Sequence, residues 1–231
     1  MSVAEPSQEA SLIADKTHIV STYAALGDSF TAGHGSIEEE GAPWPDRVAA
    51  RLRAVNPDLT YRNLAVDGAT SAEVLAQVPA AIAMEPDLIT LICGANDILH
   101  TTRPDVAGYE ARLSQMLEQL RAAAPEAAIV TTTAPEGWQF MDLRRRTKAR
   151  VGKALAEINA ATPRVAERHG VLCLEMAGHP ALLDPASYAA DGLHPSDLGN
   201  RVVARELGNA LGLHFGIQGD FAEDTDEEEE R

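Results

Sequence analysis

Five short apolar runs punctuate the chain: IVSTYAALG (19–27), LTYRNLAV (59–66), DLITLICG (87–94), AAIVTTTAP (127–135) and GVLCLEMA (170–177). They are rich in Val, Ile, Thr and Leu, and most stop at Gly, Asp or Pro. Runs of this length without strict alternation read as strands of a parallel sheet buried on both faces. Helical periodicity fills the intervals. PWPDRVAARLRAV (43–55) opens with prolines suited to a first turn. TSAEVLAQVPAAIAM (70–84) starts with Thr70 and places Glu73 three positions on, a capping box, and Pro79 predicts a kink or break inside it. Residues 104–123 put Val106, Tyr109, Leu113, Met116, Leu117 and Leu120 on one stripe. Residues 142–169 predict a longer helix with an interruption at Pro163, and a last helix is expected from Ser196 to about Leu211. Strict alternation of strand and helix predicts a three-layer α/β domain around a mostly parallel sheet, with chemistry beyond the carboxyl ends of the strands. No repeat, linker or second core is visible.

Composition narrows the functions this scaffold can serve. The 231 residues suffice for one full core, and 45% are hydrophobic, which excludes wholesale disorder. Acidic residues outnumber basic ones 35 to 19, for a formal charge of −16. This excess argues against nucleic-acid binding and against stable association with an anionic membrane face. The stretch RRRTKAR (144–150) is the one local exception and reads as a solvated helix face. Much of the excess sits in DFAEDTDEEEER (220–231), which holds eight acids and one Arg. Like-charge repulsion and the lack of apolar residues predict a flexible tail there. The first twenty residues lack the basic start and apolar run of a secretory signal. Cys93 and Cys173 each lie inside an apolar run and read as buried free thiols of a reducing compartment. A cytoplasmic protein is the expectation. The oligomeric state is not readable from these features.

Polar residues and glycines recur at the predicted strand ends. Ser29 follows the first run, flanked by Gly27 and Gly33; Gly68 follows the second; Asn96 follows the third; Asp191 and His194 precede the last helix. A serine hydroxyl becomes a competent nucleophile when a base takes its proton. His194 suits that task, and Asp191 can hold its other ring nitrogen. The N–H groups of Ser29 and Gly68 and the side-chain amide of Asn96 can receive an oxyanion. Each position also has a plainer reading. Ser29 can cap a helix, Gly68 can supply a positive φ, Asn96 can brace a loop, and Asp191 can hold its own turn rather than the imidazole. A metallophosphoesterase cluster of Asp28, Asn96, Asp97, Asp191 and His194 is disfavoured, since a single histidine lies near those motifs. Asp28 and Asp97 are expected to fix loops instead. No metal or cofactor is expected: no G-x-G-x-x-G follows the first strand, and no phosphate-loop lysine is present. His18, His100, His169, His179 and His214 show no partnered spacing.

Four ordered blocks, A-L-G-D-S-F (25–30), N-L-A-V-D-G-A-T (63–70), G-A-N-D (94–97) and D-G-L-H-P (191–195), resemble those of the SGNH hydrolases, also called GDSL-type esterases and lipases. Phe30 stands where the short family name has Leu, a conservative apolar change. The resemblance implies a flavodoxin-like fold with a five-stranded parallel sheet in the order 2-1-3-4-5. It also implies Ser29 as nucleophile, Asp191 and His194 as the rest of a triad, and Ser29, Gly68 and Asn96 as oxyanion donors. The expected organisation is a flexible segment (1–17), a hydrolase domain (18–214) and an acidic tail (215–231). The expected function is hydrolysis of small or short-to-medium acyl, soluble carboxylic esters through an acyl-enzyme, with a small-molecule ester as partner. The same triad leaves open a carbohydrate O-acetylesterase or O-acyltransferase and a thioesterase or lysophospholipase, and a non-enzymatic binding module is a further alternative. Two loops are expected to shape the substrate side, 31–44 and 135–143; from these His34, Trp138, Phe140 and Met141 are candidate pocket residues.

Overall fold

In a computed structural model the described residues are 17–34 and 41–221. Five parallel strands, β1 (Thr22–Gly27), β2 (Thr60–Asn63), β3 (Leu88–Ile92), β4 (Ala128–Thr132) and β5 (Leu172–Leu174), form one sheet. Its order is β2-β1-β3-β4-β5, the order the family resemblance implies. Every residue of β3 and β4 is buried, as their unbroken apolar runs require. The two edges are different. β2 keeps a half-exposed TYRN face, and β5 shrinks to three half-buried residues within the longer apolar run 170–177. An edge strand has a neighbour on one side only, so hydrophobicity alone overstated both.

Alternating residues of the central strands feed two cores. Ala24, Leu26, Ile89, Leu91 and Ile129 pack against α3 (Ser71–Leu75), α4 (Val78–Ile82), α6 (Val106–Ala123) and α7 (Arg145–Arg168). Tyr23, Ala25, Leu88, Ile92 and Val130 pack against α2 (Trp44–Arg53) and α8 (Asp197–Phe215). Two short helices, α1 (Ser29–Ala32) and α5 (Ala95–Leu99), follow β1 and β3 directly. The Thr70–Glu73 capping box forms, and the 70–84 segment splits into α3 and α4, with Pro79 in the first turn of the second.

Two expectations need correction. The helix over Pro163 is continuous, because Ala161, Thr162, Val165 and Ala166 are all buried around the proline and hold that turn in place. Thr162 Oγ1 also donates to the Ile158 carbonyl and meets Tyr109 Oη at 2.9 Å. The packed unit also extends past 214. The last helix runs to Phe215, Ile217 is buried and bridges to His18, and Phe221 packs against the same core. These apolar residues have core surface to cover. The acidic run beyond 221 and the expected flexible N-terminal segment up to residue 16 lie outside the described residues.

Candidate active site

The end of β1 is fixed before its chemistry begins. The buried Gln77 amide donates to the Gly27 carbonyl at 2.8 Å and accepts from the Gly27 N–H at 2.9 Å. Asp28 then caps α1 by accepting from the Phe30 N–H at 3.1 Å, which makes Ser29 the first residue of a helix. The helix stops after one turn at Gly33, whose φ of 94° is left-handed and whose Cβ, if present, would lie 2.7 Å from Pro43. Among the described residues, no group accepts from the backbone N–H of Ser29 or Gly68.

Ser29 Oγ meets His194 Nε2 at 2.9 Å, and His194 Nδ1 meets Asp191 Oδ2 at 2.5 Å. Asp191 also performs the bracing role: its Oδ1 accepts from the N–H groups of Leu193 and His194. The two readings of this residue are compatible because each uses a different oxygen. Partial burial pulls the Asp191 pKa upward, but the hydrogen bond from His194 and the two backbone N–H groups outweigh it and hold the carboxyl below its ordinary range. The loop is seated by Gly192, at φ 71°, whose Cβ would lie 2.7 Å from the Phe140 carbonyl carbon. After it, Ser196 caps α8.

Asn96 is 6% exposed on α5, and its Nδ2 donates to the Ala69 carbonyl at 3.1 Å. That bond sets it against the turn that carries Gly68, which has a φ of 74°. A second tie runs beside it. Asp97 accepts from the Ser71 N–H at 2.7 Å, the Ser71 hydroxyl at 2.5 Å and Arg112 at 3.0 Å, while Arg112 Nε donates to Ser71 Oγ. Arg150 of the basic stretch donates to the Ile98 carbonyl at 2.8 Å and to Thr101. This residue therefore caps α5 rather than lying on a solvated face. The roles of Gln77, in the turn between α3 and α4, and of Arg112 and Arg150, on α6 and α7, were not legible in the sequence, because a polar residue in such segments normally signals solvent.

Ser29, Asn96 and His194 line one cleft. Its other walls are apolar: Ile98 and Leu99 from α5, Trp138, Val151 and Leu155 from the α7 side, and Leu193 with Tyr188. Of the residues expected from the 135–143 loop, Trp138 lines the cleft and Phe140 and Met141 do not. Phe140 instead packs against Tyr188 in a tilted pair, ring centroids 5.2 Å apart, and the Phe140–Met141 backbone backs Gly192. His34 also lies outside the lining. Its ring sits 4.3 Å from that of His194, and its Nδ1 meets Asp67 Oδ2 at 3.0 Å. Of the loop 31–44, residues 35–40 lie outside the described set. Cys93 is buried and Cys173 half-buried, both as free thiols. Among the described residues, no helix is long and apolar enough to cross a membrane.

Asp28 is 3% exposed and bears on pH dependence. Burial pushes its carboxyl up to about 7, with Asp97 and Asp67 adding to the shift and the Phe30 N–H opposing it. The folded chain thus holds this proton more tightly than the unfolded chain. The stability it contributes is full below about 4 and is lost as pH rises through about 7. Asn at this position keeps the cap without titrating. The stability of Asp28→Asn relative to the parent should therefore climb across that window, by up to about 4 kcal/mol. Urea unfolding of both proteins at pH 5 and pH 8 checks this; a difference that stays flat between the two would contradict it.

A family model described as GDSL-like lipase/acylhydrolase matches residues 25–202. An arylesterase from Vibrio mimicus is 25% identical over 192 residues, covering 82% of this chain and 88% of its own. An acetylxylan esterase from Geobacillus stearothermophilus is 26% identical over 211 residues, covering 82% and 93%. The crystal structure of a lipase/acylhydrolase from Enterococcus faecalis has the same fold, with a TM-score of 0.64 and 20% identity, over 82% of this chain and 94% of that one.

Proposed function

Because the chain belongs to the GDSL-like lipase/acylhydrolase family and is a serine ester hydrolase, we propose that Ser29, His194 and Asp191 carry its acyl transfer. The hydrogen-bonded relay from Ser29 Oγ through His194 to Asp191 is the observation that carries this reading. His194 Nε2 takes the Ser29 proton as Oγ attacks the ester carbonyl. The carbonyl π electrons move onto oxygen, which rests on the N–H groups of Ser29 and Gly68 and on the Asn96 amide. Collapse expels the alkoxide, which His194 protonates, and leaves the acyl group on Ser29. Water then enters, gives its proton to His194, and the same steps in reverse order release the acid. Asp191 keeps the imidazole in the tautomer that accepts at Nε2 and stabilises the imidazolium.

The substrate reading is a soluble ester with a short-to-medium acyl chain. It is supported by the apolar cleft wall formed by Ile98, Leu99, Trp138 and Leu155 beside Ser29. A panel of p-nitrophenyl esters of rising acyl length tests it. The expected result is a kcat/KM maximum within the short-to-medium range. Higher activity on long-chain emulsions than on short soluble esters would overturn it. The free, largely shielded state of Cys93 and Cys173 supports a reducing, cytoplasmic setting.

A further inference from the structure

The ester chemistry leaves His34 without a task, although it stands beside the base. His34, Asp191 and His194 each offer one ligand atom, and these atoms all lie within 4.8 Å of one another. Zinc bonds of about 2.0–2.2 Å to imidazole and carboxylate place the donors of a tetrahedron about 3.4 Å apart, so small side-chain rotations close the set. A second feature points the same way. Asp67 engages His34 Nδ1 at 3.0 Å, which leaves Nε2 available as a ligand. A carboxylate behind the distal nitrogen is how metal-binding histidines are oriented and made more basic. The His34 and Asp191 side chains are 50% and 46% exposed, which provides an entry path for an ion. Two imidazoles and one carboxylate suit zinc and its neighbours rather than magnesium or calcium.

We infer that His34, Asp191 and His194 form a binding site for a zinc-class divalent cation, and that its occupancy reversibly switches the esterase off. The cation engages the lone pair of a His194 nitrogen, and any proton it displaces passes to solvent. The imidazole is then unable to relay the Ser29 proton, and Asp191 is drawn from the imidazole to the ion. The switching half of the inference rests on the proposed role of His194; the binding half does not.

The experiment titrates zinc chloride into the full chain in a non-chelating buffer, following heat and, separately, ester turnover. Cobalt chloride gives a third readout through its visible ligand-field bands. The expected result is one ion per chain, inhibition that follows occupancy, and recovery on adding EDTA. His34→Asn should weaken zinc binding and raise the inhibitory zinc concentration by at least about tenfold, and Asp67→Asn by about tenfold. Ser29→Ala retains all three ligands and should bind zinc like the parent. Equal zinc affinity in the parent and His34→Asn would overturn the site, as would no binding below millimolar zinc. Binding that depends on His34 without any inhibition would leave the site standing and overturn the role given to His194.

Discussion

Replacing Ser29 by alanine is expected to lower kcat by about four to six orders of magnitude while leaving the fold intact. In the proposed mechanism the hydroxyl oxygen forms the covalent bond, so no neighbour can substitute for it. What survives is the slower attack of water on a carbonyl still polarised by the oxyanion donors. Ser29 sits on the surface of a four-residue helix whose position is set by other groups: Gln77 on Gly27, the Asp28 cap and the Gly33 stop. Removing one oxygen therefore leaves those contacts in place, and the thermal midpoint should move little. His194→Ala should cost a similar amount, and the double variant little more than either alone, because the two groups act in one step. Steady-state kinetics, fluorophosphonate labelling and thermal unfolding check the set. Turnover of Ser29→Ala within tenfold of the parent, or multiplicative losses in the double variant, would refute the relay.

The second large effect belongs to Asn96. Asn96→Ala should lose about 10²–10³ in kcat, equivalent to roughly 2.7–4 kcal/mol of transition-state stabilisation, with little change in KM. The buried amide also donates to the Ala69 carbonyl, so the substitution leaves that acceptor unpartnered. Asn96→Asp also loses the donor to Ala69, so thermal unfolding of both variants reports the brace separately from the kinetics. Asn96→Asp retains the shape but offers an acceptor where negative charge develops, so its kcat should fall further than that of the alanine variant. Equal KM and a deeper kcat loss in Asn96→Asp identify an oxyanion donor. Parallel losses of stability and activity, with no kcat-specific effect, would identify a brace alone.

Much of this arrangement was legible in the chain because its signals are local. The strand runs 87–94 and 127–135 are apolar without interruption, and β3 and β4 are buried at every position. Thr70 and Glu73 lie three apart and form their capping box within a single turn. The placement of Phe140 and Met141 was not legible because a loop sequence reports hydrophobicity but not direction. In the folded chain their backbone supports the Gly192 turn, and the Phe140 ring lies on Tyr188. Pro163 misled for a related reason: the penalty for one missing hydrogen bond is visible in sequence, whereas the burial that outweighs it is not.

The sequence by itself determined the alternation of strands and helices, the fold class and the identity of the residues at the strand ends. These follow from periodicity and from residue types adjacent along the chain. Tertiary structure alone decided that Ser29 and His194, 165 positions apart, meet at 2.9 Å. It also decided that Asp97, Ser71 and Arg112 tie the Gly68 turn to the Asn96 helix, and that His34 lies against His194. The physical reason is range. Propensity and capping act over a few residues, but a site assembled beyond the ends of separate strands exists only once the shared core fixes their relative positions.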